Sequence, residues 1–214
     1  MPPLADIAFP ALVVLAYLLG SISFGLLLVR RSRGVDVRTL GSGNPGATNA
    51  LRAAGPSVAV AVLVLDMAKG LLPVATGRAA GLPERQLAWI AAAAVLGHVF
   101  PLWHRFRGGK GVATAAGTLA ALAPRPLIAS AALFALTVAT TRIVSLGSVV
   151  AALTVPLWWL AGARLGWWSG PDGMALAGCA AICLLVLWRH RDNLARLLRG
   201  EEPKLGSRRR GEAR

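Results

Sequence analysis

The chain has 214 residues, of which 56% are hydrophobic and only 15% are charged. Because soluble domains carry about 25% charged residues, this composition excludes an ordinary soluble domain and indicates a single helical membrane domain over residues 1–214. In a soluble protein, the formal net charge of +14 would suggest nucleic-acid binding. Here the basic residues cluster between apolar segments, so we expect no nucleic-acid partner.

Seven apolar segments follow one another along the chain. The first, residues 7–29, is longer than the ~20 residues that one crossing needs. No basic stretch precedes it, so we expect it to be retained rather than cleaved. The other six segments are residues 57–76, 87–103, 112–123, 126–140, 146–163 and 173–188. The fourth and fifth are short, which leaves open whether they cross separately or form a re-entrant pair.

The distribution of basic residues predicts the orientation of the chain. If the N terminus is outside and all seven segments cross, 18 of the 23 basic residues lie in stretches that face the cytoplasm and four lie outside. The positive-inside rule requires this asymmetry. We therefore predict an all-α integral membrane protein with seven transmembrane helices, two of them short, and a cytoplasmic C terminus. Four polar stretches then share the cytoplasmic side.

The first polar stretch is glycine-rich and ends in an arginine. Glycine allows positive φ angles and lets backbone amides approach an anion closely. Thr48 and Arg52 are four residues apart and share a face of any helix that begins near Ala47. The alternative is a tight polar turn that caps a helix. The candidate binding residues here are Gly41, Ser42, Gly43, Asn44, Gly46, Thr48, Asn49 and Arg52.

The second polar stretch, residues 105–114, precedes the fourth segment and contains Gly108, Gly109, Lys110 and Gly111. Helix N termini attract anions, and Lys110 adds a point charge. This is not a P-loop, because no glycine lies five residues before Gly109. The alternative is that Lys110 is only a cationic anchor at the cytoplasmic surface.

Two further stretches carry candidate polar groups. Arg142, Ser145 and Ser148 lie where the sixth segment begins, although both serines could simply cap the helix. After the seventh segment, we expect its helix to continue through His190, Asn193 and Arg196. These three would lie within an arc of about 120° on a helix. His190 could instead be an interfacial anchor.

Three ionisable residues lie inside apolar segments. Asp66 and Lys69 are three residues apart and could pair on one helix face. His98 is either functional or held by a structural hydrogen bond. These residues would serve the alternative function, a small anion transporter, but its polar groups should lie near the bilayer midplane. No metal site is predicted, since the acidic residues are scattered and the histidines lack ligand spacing.

Together, the four stretches resemble the PlsY family of bacterial acyl-phosphate:glycerol-3-phosphate acyltransferases. Residues 41–49 are similar to its first motif, residues 108–113 to its second, and residues 142–148 with 190–204 to its third region. The similarity runs from about residue 19 to residue 206. It implies a multi-pass protein of the bacterial inner membrane whose active site faces the cytoplasm.

The resemblance implies transfer of a fatty acyl group from acyl phosphate to the sn-1 hydroxyl of glycerol 3-phosphate. The products are lysophosphatidate and inorganic phosphate, and no cofactor or metal is implied. Membrane lipids are the other expected partners, with the basic tail, residues 206–214, contacting anionic headgroups. The implied catalytic residues are Ser42, Lys110, Ser148, His190 and Asn193. Arg142, Ser145, Arg196, Glu202 and Lys204 are added to the glycine-rich stretches as substrate-binding residues.

Two groups are candidates for the general base: His190 and a substrate phosphate. Histidine has a suitable pKa for this task, and the second ionisation of a phosphomonoester is also close to neutral, at about 6. Arg189 and Arg191 flank the histidine and should favour hydrogen-bond donation by its ring over proton acceptance. This arrangement favours the substrate phosphate as the base.

Overall fold

The computed structural model describes residues 4–206, and within that range the regular structure is entirely helical. Of the predicted basic tail, only Gly206 falls inside the described residues. The α-helices of residues 4–206 are α1 Leu4–Gly20, α2 Phe24–Arg33, α3 Ala47–Ala54, α4 Pro56–Ala79, α5 Glu84–Val99, α6 Val112–Leu122, α7 Pro124–Thr141, α8 Val144–Arg164, α9 Gly173–Arg189 and α10 Arg191–Leu198.

Four stretches in the described part of the chain are long and apolar enough to cross a membrane: Phe9–Arg33, Pro56–Ala79, Glu84–His104 and Val144–Arg164. The bent pair α9–α10 makes a fifth if it counts as one broken span. With 11 residues, α6 is only about 16 Å long, against ~30 Å for a bilayer core. The chain is thus an integral membrane protein with four or five such spans among residues 4–206, and seven crossings stay a prediction.

Close backbone approach through glycine brings the helices together. A Cβ atom on Gly70 would overlap the carbonyl of Thr114, and one on Gly117 would overlap the carbonyl of Met67. These reciprocal contacts pack α4 against α6, and glycines join α1 to α5 in the same way. Small residues at interfaces let helices pack tightly where lipid provides no hydrophobic driving force. Glycines of the apolar segments therefore allow the backbones of these two helix pairs to come into contact.

The first apolar segment is interrupted at residues 21–23, a break that the apolar pattern did not predict. The hydroxyl of Ser21 donates to the Tyr17 carbonyl (2.9 Å) and accepts the backbone N–H of Leu102 (3.3 Å). The Lys69 ammonium donates to the carbonyl of Ile22 (2.6 Å). Unpaired backbone groups are costly in lipid, so the break is tolerated because side chains and backbone from other segments satisfy it.

The predicted continuation of the seventh segment through His190 is wrong in one respect. The helix ends at Arg189, and α10 leaves at an angle of 54°. The physical reason is local, because the His190 ring nitrogen Nδ1 lies 2.7 Å from the Val186 carbonyl. That carbonyl would otherwise accept the backbone N–H of His190, which bonds to Leu187 instead (2.9 Å).

Candidate functional site

A cavity of about 460 Å³ lies between the α4–α6 pair and the α7–α8 pair, and all four predicted polar stretches contribute to its wall. Residues far apart in the sequence therefore meet at one end of the helical bundle. The predicted residues that line it are Gly41, Ser42, Asn44, Gly46, Thr48, Asn49, Arg52, Lys110, Gly111, Ser145, Ser148, His190, Asn193, Arg196 and Glu202.

Five predicted residues are not part of the cavity wall: Gly43, Gly108, Gly109, Arg142 and Lys204. Gly43 has a φ of +69° and closes a turn by donating its N–H to the Leu40 carbonyl (2.9 Å). Arg142 ends α7 with a φ of +62°, and its carbonyl accepts the N–H of Leu205 (2.7 Å). Both therefore shape the backbone around the cavity, and their binding roles stay predictions.

Asn49 holds the first loop, which we define as residues 41–46. Its side chain is buried, with 1% exposed. Oδ1 accepts the N–H of Ser42 (3.0 Å), while Nδ2 donates to the carbonyls of Val37 (3.0 Å) and Leu40 (2.9 Å). These bonds use both ends of the carboxamide to hold the loop, and a binding role for Asn49 stays a prediction. The helix predicted to begin near Ala47 is confirmed as α3.

The second loop, residues 108–111, is held from both sides. The N–H groups of Gly108 and Gly109 donate to the carbonyls of Val99 (3.2 Å) and His98 (3.1 Å). From the other side, the Arg189 guanidinium donates to the carbonyls of both glycines, at 3.1 Å each. Sequence reasoning missed this role, because an arginine at the end of an apolar segment looks like any positive-inside residue.

The second loop ends at the N terminus of α6, as predicted. Gly111 caps that helix with a φ of +84°, a conformation that favours glycine. Gly111, Val112 and Ala113 all line the cavity. The first N–H groups of a helix have no partner within the helix and carry a partial positive charge. This end of α6 is therefore suited to an anion.

A polar network crosses the cavity from the second loop to the C-terminal region. The Lys110 ammonium donates to Oδ1 of Asn193, and Asn193 Nδ2 donates to Oε1 of Glu202 (2.5 Å). Glu202 also accepts from the Ser145 hydroxyl (2.7 Å) and from Nε of Arg196 (2.8 Å). Burial raises the pKa of Glu202, but these three donors outweigh it and hold the pKa below its usual range. The carboxylate is thus charged at neutral pH.

The charge of Lys110 depends on pH in the range above neutrality. Burial lowers the pKa of its ammonium to about 8, with Glu202 opposing the shift and Arg196 and Arg189 adding to it. At neutral pH the lysine is mostly cationic, and it loses its proton within an accessible pH range. A bound anion would favour the charged form, so this lysine can respond to what occupies the cavity.

His190 is buried against its own helix, with 2% of its surface exposed. A carbonyl oxygen can only accept, so Nδ1 beside Val186 carries the proton and Nε2 is the free acceptor of the neutral ring. Burial is the main cause that lowers the pKa of His190 to about 4. The ring is therefore neutral at physiological pH and is a weak base.

The predicted ion pair between Asp66 and Lys69 is confirmed, with Oδ1 and Nζ 2.8 Å apart. His98 Nδ1 lies 3.7 Å from the same carboxylate oxygen and 3.1 Å from the Thr114 hydroxyl. Asp66 and His98 both line the cavity. The buried ionisable residues thus adjoin the site that the four polar stretches form.

The remainder of the cavity wall is mostly apolar and lies between the two helix pairs. The exception is the buried hydroxyl of Ser130, which accepts a hydrogen bond from Thr154 (3.1 Å). A largely apolar wall beside convergent polar groups suits a ligand that has a charged head and a hydrocarbon chain. The apolar residues are Leu63 and Met67 of α4, Ala116 of α6, Leu127, Ala131 and Phe134 of α7, and Ala151 of α8.

Comparison with known proteins identifies the family. A family model described as glycerol-3-phosphate acyltransferase matches residues 10–200. A glycerol-3-phosphate acyltransferase of Pseudomonas fluorescens is 49% identical over 195 residues, which cover 91% of this chain and 98% of that protein. One from Pseudomonas syringae pv. tomato is 50% identical, covering 91% and 96%.

Two crystal structures of PlsY (YgiH), an integral membrane glycerol 3-phosphate acyltransferase, share the fold. The glycerol 3-phosphate form has a TM-score of 0.85 and 38% identity, covering 92% of this chain and 96% of that chain. The lysophosphatidic acid form has a TM-score of 0.82 and 37% identity, covering 92% and 95%. The chain therefore belongs to the glycerol-3-phosphate acyltransferase family and has the fold of PlsY.

Proposed function

We propose that this protein transfers a fatty acyl group from acyl phosphate to the sn-1 hydroxyl of glycerol 3-phosphate, as a step of phospholipid synthesis. The observation that carries the proposal is one cavity that joins cationic and glycine-rich anion sites to an apolar passage between helices. The acceptor and product agree with the two PlsY crystal forms, which contain glycerol 3-phosphate and lysophosphatidic acid.

Two phosphate groups must occupy the cavity together, and their repulsion has to be offset. Lys110, Arg52, Arg196 and the N terminus of α6 all face the cavity and supply positive potential. Holding both substrates in contact removes much of the entropic barrier to reaction. Since acyl phosphate already carries a good leaving group, the chain needs no covalent intermediate.

The reaction then proceeds by attack of the sn-1 oxygen on the acyl carbon. A new C–O ester bond forms, and the bond between the acyl carbon and the phosphate oxygen breaks, releasing inorganic phosphate. Ser42 is the proposed donor to the oxyanion, because its side chain lines the cavity and makes no hydrogen bond to other described residues. Asn193 is already bonded at both ends, so we propose that it orients Lys110 rather than the substrate.

The hydroxyl proton goes to a substrate phosphate. The phosphate has a pKa of about 6, whereas that of His190 is lowered to about 4, so the phosphate is the stronger base. His190 would then use Nε2 to accept a hydrogen bond from the sn-2 hydroxyl of glycerol 3-phosphate. This bond orients the acceptor, while the proton of the attacking sn-1 hydroxyl goes to the phosphate.

We further propose seven crossings, with the N terminus outside and the site on the cytoplasmic face of the bacterial inner membrane. Two observations support this topology: the excess of basic residues in the stretches that would face inward, and the meeting of those stretches at one end of the bundle.

Phosphate release tests the function directly. Purified protein in lipid, given acyl phosphate and glycerol 3-phosphate, should release inorganic phosphate and form lysophosphatidate in equal amounts. Chelation should not reduce the rate, because no three metal-binding side chains cluster in residues 4–206. Phosphate release without glycerol 3-phosphate would identify a hydrolase instead. Restoration by a divalent ion after chelation would contradict the site assignment.

Reporter tags test the topology. A tag after Arg214 should be protected in intact cells, and a tag before Met1 should be accessible from outside, because an odd number of crossings separates the two ends. The measurement is labelling by an impermeant reagent, with permeabilised cells as the control. Two tags on the same side would rule out seven crossings.

The pH profile tests Lys110. If the cationic lysine binds phosphate, kcat/KM should fall as the pH rises above about 8, because the folded-state pKa is lowered to that value. Bound phosphate should stabilise the charged lysine, so the corresponding fall in kcat should occur at a higher pH than the fall in kcat/KM. Lys110→Arg should abolish the limb, since arginine stays charged. Lys110→Ala should cost about tenfold or more, the size of one charge-assisted hydrogen bond.

Arg107→Ala is the matched control for this measurement, because Arg107 is exposed and precedes the second loop without lining the cavity. It should leave kcat/KM and its pH limb close to those of the parent. A limb unchanged in Lys110→Arg would assign the titration to another group.

Substitution of His190 separates its two possible roles. Glutamine cannot take up the proton but can keep a hydrogen bond toward the cavity. We expect His190→Gln to keep kcat within about tenfold of the parent, because the phosphate is the base. A drop of about 100-fold in kcat with unchanged KM would make His190 the base.

A further inference from the structure

We propose that Asp66, Lys69 and His98 form an intramembrane positioning network that sets the first loop and the second loop relative to each other. None of the three belongs to the four polar stretches, and all three are buried, with 2%, 4% and 8% exposed. The kinetic consequences of the network rest on the proposed function, whereas its effect on the two loops does not.

One arm of the network runs from Lys69 to the first loop. The Lys69 ammonium donates to the Ile22 carbonyl (2.6 Å), which is freed by the break between α1 and α2. The first turn of α2 packs directly on the first loop, because a Cβ on Gly25 would overlap the Pro45 carbonyl. Lys69 thus holds the point from which α2 approaches that loop.

The other arm runs from His98 to the second loop. Gly109 donates its N–H to the His98 carbonyl (3.1 Å), and a Cβ on Gly109 would overlap Nε2 of the same imidazole. Gly109 therefore lies against the Nε2 edge of the ring. The other ring nitrogen, Nδ1, is beside the Thr114 hydroxyl (3.1 Å) and the Asp66 carboxylate (3.7 Å). The orientation of this ring sets the position of Gly109.

Asp66 joins the two arms, since the same oxygen, Oδ1, contacts Lys69 (2.8 Å) and faces His98 (3.7 Å). Stability alone does not explain a buried ion pair, because well-packed apolar residues of similar volume are often as stabilising or more so. Ionisable residues inside a membrane are costly and usually serve function. Here one end of the network contacts the backbone from which α2 approaches the first loop, and the other end contacts the second loop at Gly109.

Arg78 provides a matched control on the same helix. Its guanidinium donates to the carbonyl of Leu122, at the last turn of α6 (3.2 Å). This is the same kind of cation–carbonyl contact between α4 and another element, but Arg78 does not line the cavity and contacts neither loop. Arg78 is exposed, whereas Lys69 is buried. Arg78→Met therefore removes a cation–carbonyl contact of the same helix without touching the network and without leaving a buried charge unpaired.

Amide hydrogen exchange of the full chain in lipid tests the network without any substrate. In Lys69→Met, peptides that contain residues 41–46 and 108–111 should exchange at least about tenfold faster, as expected from losing one charge-assisted hydrogen bond. In Arg78→Met both peptides should exchange at the parental rate. If exchange were accelerated equally in the two variants, the effect would be a general loss of stability rather than a loss of loop positioning, and the proposal would be overturned.

The double variant Asp66→Asn/Lys69→Met keeps the test valid if Lys69→Met folds poorly. It leaves no unpaired buried charge, and asparagine can still face His98, but the Ile22 carbonyl has lost its donor. The amides of residues 41–46 should therefore still exchange faster than in the parent, whereas those of residues 108–111 should exchange at close to the parental rate. Parental exchange in both loops would overturn the proposal.

Enzyme kinetics provide a second test of the network. The folded fraction of the double variant should lose at least about tenfold in kcat/KM, while Arg78→Met should keep the parental value; the size again corresponds to one charge-assisted hydrogen bond. If the parent itself fails to transfer an acyl group, the proposed function fails, and the exchange rates still decide whether the network positions the loops.

Discussion

The contact between the Lys110 ammonium and the Asn193 carboxamide connects the two halves of the site. Lys110 lies on the second loop, between α5 and α6, while Asn193 lies on α10 and is itself bonded to Glu202. Burial lowers the pKa of this ammonium to about 8, and the neighbouring Arg196 and Arg189 add to the shift. The Glu202 carboxylate, which Asn193 links to Lys110, opposes the shift, so the lysine is mostly cationic at neutral pH.

Breaks in the helices recur around the site. His190 and the N terminus of α6 line the cavity, whereas the break at residues 21–23 lies outside the cavity wall. The chain breaks its helices at residues 21–23 and at His190, and it caps α6 with Gly111. Each break has partners nearby, such as Lys69 for the Ile22 carbonyl and the His190 ring for the Val186 carbonyl. In lipid, irregular backbone is tolerated only where it is satisfied or lines a cavity.

Glycine serves two different purposes in this fold. In the helices, Gly70 and Gly117 bring α4 and α6 into backbone contact, which leaves the passage between this pair and the α7–α8 pair open. In the loops, Gly41 and Gly111 adopt positive φ angles beside the cavity. The first purpose creates the apolar wall and the second creates the polar end. A ligand with a phosphate head and a hydrocarbon chain matches both.

By itself, the sequence determined the helical membrane class, the four polar stretches and most of the polar residues that line the cavity. These follow from local rules: apolar length, glycine conformation and the charge at helix termini act on neighbouring residues. Only the tertiary structure decided how those residues are used. Asn49 holds a loop, Arg189 clamps Gly108 and Gly109, and Glu202 collects donors from α8 and α10. Such roles depend on hydrogen bonds between distant segments, and one chain's residue pattern carries no record of which donor reaches which acceptor.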